Sequence, residues 1–435
     1  MSEAFRVLAA TVQGYLAWMH LEVGSLRKQS RGSREKRALL LAWDLPPRFS
    51  SGTFRPRSFV HFGERHGWTI DSFSGPVPSV PPPADADAYE LGRRGDSACF
   101  VEPRCTPSFR FFPRLHGGFF EALLATIQLR RRFHQRCYAT IIASGPPFSV
   151  FVTGFYASRH WGASLVLDYR DEWTESPFTH THTRFDLWWE RRCQRAADLV
   201  IFTTESQRTH QLSVFPDLSP EKTIVLPNGW DPSVEGGRKT DVARGSDVPA
   251  TIAYVGKLGS HVPTGEFLNA LNEAVRSMPD GRRNLTVSFI GEIDGVARRQ
   301  LADSAGDLQI DTPGVVDQKT ALGLMSEADI LLLMSDMRLQ RYRPGKLYDY
   351  LAAGRPILVY GERGEISDIV EELGAGLHVP PDDVDRLSAI LSGQEKLPDP
   401  TRSPKLAAWL ARHSREELAR TLIRTLEEIE ANRAT

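Results

Sequence analysis

Two lysines stand beside glycines in the second half of the chain, at Gly256 and Lys257 and again at Gly345 and Lys346. This combination suits a diphosphate, because the ammonium group supplies charge and the glycine lets backbone N–H groups approach. Lys346 opens a predicted helix, where the partial positive charge of the helix start disfavours a cation by about 0.3–1 kcal/mol. An anion bound by both the lysine and the helix start would remove that penalty. The alternative is a lysine that extends into water.

Asp349 follows Lys346 by three residues and therefore lies on the same face of the predicted helix. Its carboxylate could accept hydrogen bonds from ribose hydroxyl groups. The alternative is an ion pair with Lys346 inside the helix, worth roughly 0.2–0.5 kcal/mol.

Other candidate residues follow predicted strands, at the ends where parallel sheets bind ligands. In the first half of the chain they are Asp44, Ser51, Gly52, Ser144, Arg170 and Asp171, and in the second half they include Gly291 and Val316. Each set is therefore expected at the ligand-binding edge of a sheet.

The elements that would position these residues alternate between strands and helices. Apolar runs such as ALLLA (38–42), SLVLDY (164–169) and ILLLM (330–334) are too continuous for strands with one exposed face. They favour parallel sheets covered on both sides, and 435 residues suit two such domains. The predicted fold class is α/β, with two Rossmann-like doubly wound domains facing across a cleft and an N-terminal helical extension.

The segment 233–248 has little apolar content and is the predicted boundary between the domains. The predicted organisation is a helix and basic linker over 1–36, a first domain over 37–235, a second domain over 248–403 and a C-terminal helix over 404–435.

Composition excludes several classes of protein. The net charge of −1 at pH 7 gives no global attraction to nucleic acid. The four cysteines form no CxxC pair, so neither a disulfide framework nor a zinc site is predicted. Because there is no apolar run of roughly 18 residues and no signal-peptide pattern, a cytoplasmic chain is expected.

Eight motifs resemble those of GT-B glycosyltransferases, close to the retaining enzymes of family 4. They are LDYRDEW (167–173), AADLVIFTTES (196–206), IVLPNGWD (224–231), AYVGKLG (253–259), FIGE (289–292), PGVV (313–316), ADILLLMS (328–335) and GKLYDYLAAGRPIL (345–358). Each motif alone is weak, but their order and spacing match over about residues 38–430.

The resemblance implies that the second domain binds a nucleotide-sugar donor, with UDP or GDP as the expected nucleotide. The implied donor-binding residues are Ser51, Gly52, Gly256, Lys257, Gly291, Val316, Gly345, Lys346, Leu347 and Asp349. The lysines would face the diphosphate, Val316 the base and Asp349 the ribose. Leu347 also has the spacing of a core residue. No cofactor and no metal ion is expected.

The resemblance also implies that the first domain binds the acceptor, which would be a saccharide, a lipid-linked molecule or a small molecule. Asp44, Ser144 and Trp173 are the implied acceptor contacts, and Arg170 and Asp171 are the catalytic candidates. Asp171 would lie near the acceptor hydroxyl, or would instead be a structural carboxylate paired with Arg170. Transfer is expected to retain anomeric configuration, and the final helix to cross back to the first domain.

The sequence departs from the family pattern at two places. The family's acidic pair has the spacing E-x7-E, but here Arg341 precedes Asp349 in place of the first acid. The usual basic pair after the first strand of the second domain is reduced to Lys257. These departures keep two alternatives open, a non-catalytic partner protein of the same fold and a nucleotide-sugar epimerase.

Two segments in the first half of the chain could contact a membrane. Residues 107–136 mix phenylalanine with arginine, which predicts either a peripheral contact on the inner face of a membrane or a core helix with an arginine-rich end. Residues 3–24 form a predicted amphipathic helix, expected to pack on its own domain or on a partner chain. Its apolar stripe comprises Phe5, Leu8, Val12, Tyr15, Leu16 and Met19.

Overall fold

The computed structural model describes the chain except for residues 1–2, 27–34, 47, 49–51, 78–94, 104, 109, 178–181, 233–249, 260–261, 279–284 and 435. The chain forms two compact units, unit 1 from Met1–Pro227 with Glu416–Thr435, and unit 2 from Asn228–Arg415. The predicted boundary 233–248 and the predicted donor-binding residue Ser51 lie outside the described residues. The chain passes into unit 2 after Pro227, ahead of the predicted boundary.

Unit 1 is built on a seven-stranded parallel sheet. Its strands are β1 (Arg37–Ala42), β2 (Thr69–Ser74), β3 (Ser97–Cys99), β4 (Thr140–Gly145), β5 (Ser164–Tyr169), β6 (Leu199–Phe202) and β7 (Thr223–Val225). Their order is β3-β2-β1-β4-β5-β6-β7, and β1 pairs with β4 so that Leu39 lies opposite Ile141. These central strands are buried along both faces, as their unbroken apolar runs require.

Helices cover both faces of this sheet. They are α1 (Glu3–Leu26), α2 (Phe54–Gly63), α3 (Phe119–Arg132), α4 (Ser149–Trp161), α5 (Arg184–Ala196), α6 (Glu205–Val214) and α14 (Arg415–Ala434). One core lies under α1, α3, α4 and α5. The other includes Leu418, Leu422 and Leu426 of α14, which pack with residues of β1 and β4.

Unit 2 repeats the architecture with a six-stranded parallel sheet in the order β10-β9-β8-β11-β12-β13. The strands are β8 (Thr251–Val255), β9 (Thr286–Ile290), β10 (Gln309–Gly314), β11 (Ile330–Ser335), β12 (Ile357–Gly361) and β13 (Gly376–Val379). The helices are α7 (Thr264–Arg276), α8 (Gly295–Ser304), α9 (Gln318–Glu327), α10 (Gly345–Ala353), α11 (Glu365–Glu372), α12 (Val384–Leu391) and α13 (Pro404–Arg412). The prediction of two doubly wound parallel sheets with an N-terminal helix is confirmed.

The C-terminal tail is not one helix, as predicted, but two. The backbone N–H of Trp230 donates to the carbonyl of His413 at 3.2 Å, and the N–H of Arg415 donates to the carbonyl of Trp230 at 2.8 Å. These bonds hold residues 413–415 as an extended pairing partner of Trp230, which ends α13 and restarts the helix as α14. The break leaves α13 in unit 2, whereas Glu416–Thr435 belongs to unit 1.

The N-terminal helix packs on its own unit with the face opposite to its apolar stripe. Ala10, Ala17 and Leu21 are buried, and a Cβ at Gly14 would lie 2.5 Å from the ring of Phe112. The large side chains predicted to pack are instead 40–60% exposed. Small residues let α1 approach unit 1 closely, and that contact decided which face is buried.

The aromatic residues of 107–136 are mostly core residues. Phe112, Phe119 and Phe120 are buried, whereas Phe111 is 65% exposed. The basic end of α3 remains at the surface, so the alternative of a core helix with an arginine-rich end fits this segment. No helix in the described part of the chain is long and apolar enough to cross a membrane.

Candidate functional site

Two glycines of unit 2, at the carboxyl ends of β8 and β9, let the backbone lie close to the side chain of Lys346. Gly256 has φ +122° and Gly291 has φ +132°, a region that favours glycine. A Cβ at Gly291 would lie 2.5 Å from the carbonyl oxygen of Gly256, and one at Gly256 would lie 3.2 Å from Nζ of Lys346. The ammonium group of Lys346 therefore lies against the glycine backbone at this sheet edge.

Lys346 lies in the first turn of α10, which begins without a side-chain cap. The N-cap residue is Pro344, whose side chain accepts no hydrogen bond. By contrast, aspartates cap the neighbouring helices, Asp294 on α8 and Asp317 on α9. The N–H of Leu347 donates to the carbonyl of Pro344 at 3.0 Å, so the N–H groups of Gly345 and Lys346 are the ones open to an external acceptor.

The ammonium group of Lys346 lies 3.5 Å from the ring centroid of Tyr254. No carboxylate of the described residues forms an ion pair with it, and burial lowers the pKa of Lys346 to about 7. A cation without a counter-ion beside an uncapped helix start is an environment that an anion would complete.

Asp349 lies one turn further along α10, and its side chain is 24% exposed. Its Oδ1 lies 3.9 Å from Nη2 of Arg415, while Nη1 of Arg415 lies 3.7 Å from Oδ2 of Asp231. Burial raises the pKa of Asp349 to about 6, with Arg415 opposing the rise and Asp231 adding to it. The alternative of a Lys346–Asp349 pair is not formed, because Tyr254 and Arg415 separate the two charges into different environments.

The other predicted donor-binding residues of unit 2 differ in how far they are exposed to solvent. Lys257 is 60% exposed and pairs with Glu292 at 3.3 Å, while its carbonyl accepts from the hydroxyl of Tyr254 at 3.0 Å. Val316 is half-buried and Gly345 is exposed at the start of α10. The side chain of Leu347 is fully buried, so the assignment of that side chain to donor binding was wrong and its alternative as a core residue is correct.

In unit 1, the guanidinium group of Arg170 holds the candidate residues together. Nη1 donates to the carbonyl of Gly52 at 2.6 Å, and Nη2 donates to Oδ2 of Asp44 at 3.1 Å. Nε donates to the carbonyl of Gly145 at 3.2 Å, and Nη2 also donates to that of Pro146. A Cβ at Gly52 would lie against the guanidinium group of Arg170, so a larger residue there would displace that group. Arg170 is thus a positioning residue for the loops that carry Asp44 and Gly52.

Asp171 is not paired with Arg170, because that guanidinium group is directed to Asp44 and to three carbonyls. Burial raises the pKa of Asp171, with Arg170 opposing the rise and Glu172 adding to it. The structural alternative, a carboxylate neutralised by Arg170, therefore does not describe this residue. Asp171 is the half-buried acid of unit 1 that remains a candidate for contact with a hydroxyl group.

Two predicted acceptor contacts are structural instead. Ser144 is fully buried and donates to Oδ2 of Asp168 at 2.7 Å. Trp173 is also fully buried, donates to Oδ1 of Asp186 at 3.2 Å and stacks on Phe148. Neither side chain has a surface on which an acceptor could bind.

Several residues of the two sites were not predicted. Tyr254 and Asp231 lie inside the motifs AYVGKLG and IVLPNGWD, so a local signal was present. Arg415 lies far along the chain from Asp349 and has no local signal. Arg55, which donates to both carboxylate oxygens of Asp168, was likewise missed. Within the described part of the chain, no group of three or more His, Cys, Asp or Glu side chains could hold a metal ion.

Two family models match the chain and together cover most of it. Residues 64–229 match the glycosyl transferase 4-like domain, and residues 249–392 match the glycosyl transferases group 1. Among curated proteins, none matches this chain in sequence.

Solved structures of low sequence identity have the same fold. Anabaena HepE, in complex with UDP and glucose, is 15% identical with a TM-score of 0.64, covering 90% of this chain and 99% of its own. A glycosyltransferase from Rickettsia africae ESF-5 is 12% identical with a TM-score of 0.64, covering 91% and 99%. Sucrose-phosphate synthase from Thermosynechococcus elongatus is 15% identical with a TM-score of 0.58, covering 92% and 98%.

Proposed function

Because this chain belongs to the glycosyltransferases of the GT-B fold, we propose that it transfers a sugar from a UDP-sugar to an acceptor hydroxyl. The observation that carries the proposal is the cationic start of α10, where Lys346 has no carboxylate partner among the described residues. The diphosphate of the donor is the anion that completes this environment.

The donor diphosphate would contact Lys346 and the first N–H groups of α10, close to the backbone of Gly256 and Gly291. In that position the lysine and the helix start neutralise charge that develops on the leaving diphosphate. Asp349, held by Arg415, would accept hydrogen bonds from the ribose. Val316, at the end of the loop after β10, would lie against the base.

The choice of UDP over GDP is supported by the structural neighbours. HepE was solved in complex with UDP and, separately, with UDP-glucose. The sequence predicts UDP or GDP, and the likeness in fold to HepE favours UDP.

In the proposed reaction, the bond between the anomeric carbon and the β-phosphate oxygen breaks as the acceptor oxygen bonds to that carbon. The acceptor proton passes to a leaving phosphate oxygen, so UDP and the glycoside are the products. Asp171 would hydrogen-bond the acceptor hydroxyl, and Arg170 would position the loops of Asp44 and Gly52. Retention of configuration and independence from metal stay predictions, which product NMR and reaction in EDTA would check.

A calorimetric panel of UDP, GDP, ADP, TDP and CDP without metal tests the donor site. We expect UDP to bind, and Lys346→Ala and Asp349→Ala each to weaken binding by about 1–3 kcal/mol through loss of a charged hydrogen-bond partner. Glu372→Ala, which alters an exposed acid of α11, is the matched control and should leave affinity unchanged. Unchanged affinity in both site variants would refute the site assignment.

Turnover separates an enzyme from a non-catalytic partner of the same fold. Release of UDP from a UDP-sugar, with water or a test saccharide as acceptor, is expected for the wild-type chain and should fall in Asp171→Asn. UDP binding without UDP release for any UDP-sugar and acceptor tried would favour the non-catalytic alternative.

A further inference from the structure

The exposed face of α1 carries a concentration of apolar surface that unit 1 leaves uncovered. Of the thirteen large apolar side chains exposed in the described part of the chain, seven lie on this helix. They are Phe5, Leu8, Val12, Tyr15, Leu16, Met19 and Val23, each 40–60% exposed. At 3.6 residues per turn they fall within an arc of about 100° and extend along about 27 Å. We call these seven side chains the α1 stripe.

The α1 stripe is held in a fixed position because α1 is anchored at Glu22, along one edge of the stripe, and on the face opposite the stripe. Glu22 accepts from both Nη atoms of Arg192 at 2.6 Å and from the hydroxyl of Tyr156 at 2.7 Å. Gly14 approaches the ring of Phe112, as described above. The stripe extends at one side to Phe111, which is 65% exposed and whose carbonyl accepts from the hydroxyl of Tyr15 at 2.9 Å.

A groove of about 1180 Å³ runs along the α1 stripe between α1 and α3. Its polar lining contains no carboxylate and is formed by Gln13, His20, Arg130, Arg131, His134 and His160. Neither Arg130 nor Arg131 pairs with a carboxylate of the described residues, and burial lowers the pKa of Arg130. The apolar stripe is therefore bordered by cations that have no counter-ion within the described chain.

We propose that the α1 stripe and its groove bind the surface of an anionic lipid bilayer. The stripe would enter the boundary between headgroups and acyl chains, with α1 parallel to the surface, and Arg130 and Arg131 would contact lipid phosphates. A second copy of the chain fits less well, because the same face of that copy would bring no carboxylate from the groove lining to these arginines. The proposal concerns a surface of unit 1 alone and does not depend on the donor site.

Vesicle flotation of the full-length chain tests this proposal. We expect the protein to float with phosphatidylcholine vesicles that contain phosphatidylglycerol, and to float less with pure phosphatidylcholine or at high salt. The double variant Leu8→Glu with Leu16→Glu should lose about tenfold or more of the bound fraction, since two apolar contacts become charged. Val296→Glu, at an exposed apolar position of α8, is the matched control and should float like the wild type.

A second double variant, Arg130→Gln with Arg131→Gln, separates charge from apolar contact. It should reduce binding to phosphatidylglycerol vesicles while leaving thermal unfolding and UDP binding unchanged. Wild-type protein that floats with neither vesicle, or variants that float as well as the wild type, would overturn the proposal. A wild-type dimer that Leu8→Glu with Leu16→Glu converts to a monomer, without vesicle binding, would overturn it in favour of a second copy.

Discussion

Lys346 lies in an environment that disfavours the charged form of its own side chain. Its amine has a pKa of about 7, because burial disfavours the charged form and no carboxylate of the described chain compensates. The folded pKa is below the unfolded one, so the unfolded chain binds more protons between the two values. Stability from this group therefore rises with pH through that range and is lowest below pH 7.

Binding of UDP should reverse this shift, because a diphosphate favours the charged lysine. At pH 8 the free amine is mostly neutral, so UDP binding should take up a proton, and affinity should fall as pH rises above 7. Calorimetry at pH 8 in Tris and in HEPES measures the uptake from the difference in apparent heat. Lys346→Arg, whose guanidinium stays charged, should bind without uptake. Equal uptake in this variant would place the proton elsewhere.

Gly291 is predicted to be intolerant of a side chain. With φ +132° and a Cβ that would lie 2.5 Å from the carbonyl of Gly256, Gly291→Ala should cost about 1–3 kcal/mol of stability and weaken UDP binding. Gly295→Ala is the matched control, because nothing lies within 4 Å of its Cβ. Chemical denaturation of both variants measures the difference, and equal stabilities would contradict the packing described here.

The sequence predicts some of these residues well and others poorly, for one physical reason. Lys346 and its neighbouring glycines belong to local motifs, so their types alone indicate a strand end and a helix start. Ser144 and Trp173 also lie at a strand end, but their side chains turn into the core, and only tertiary packing decides that direction. Arg170 was predicted at the site, yet its role depends on Gly52 and Asp44, more than a hundred residues away in the chain.

At the scale of elements, Glu22 contributes to the attachment of α1 to unit 1. Burial favours the protonated acid, but hydrogen bonds from Arg192 and Tyr156 outweigh it and lower the pKa of Glu22. Glu22→Gln should therefore lower the free energy of unfolding by about 1–2 kcal/mol at pH 7. Asp217→Asn, which breaks an exposed ion pair with Arg195, is the matched control and should leave the free energy of unfolding nearly unchanged.

The stability that Glu22 contributes through Arg192 and Tyr156 should decrease at acidic pH. Because the folded pKa of Glu22 is below its unfolded value, its stabilising contribution is present above about pH 4.5 and is lost as pH falls through the folded pKa. The gap in stability between wild type and Glu22→Gln should narrow in that acidic range. A gap that stays constant down to pH 3 would show that the charge of Glu22 does not anchor α1.

Elements with unbroken apolar runs, such as β1, β5 and β11, are predictable because only a buried parallel strand suits them. The short strand β3 carries no such run and was not predicted. The apolar periodicity of α1 predicts a stripe but not what covers it, and here the small residues opposite the stripe make the contact. The break between α13 and α14 depends on pairing with Trp230, a long-range contact that helical periodicity does not reveal.

At the scale of the whole molecule, the order of motifs across both halves was more informative than any one of them. It predicted the family, which the two family models confirm over most of the chain. The acceptor site was predicted less well than the family. Two of its predicted contacts in unit 1, Ser144 and Trp173, are fully buried structural residues.

Thermal unfolding of wild type and Lys346→Met, each with and without UDP, tests the central claim most directly. A buried lysine without a counter-ion lowers the stability of the fold when no anion is bound. The Lys346→Met variant should therefore melt at a higher temperature than the wild type without UDP. UDP at about 100 times its dissociation constant should stabilise the wild type by about 2.7 kcal/mol, and the variant far less. A variant that melts lower than the wild type and still gains the full shift with UDP would contradict a donor site at Lys346.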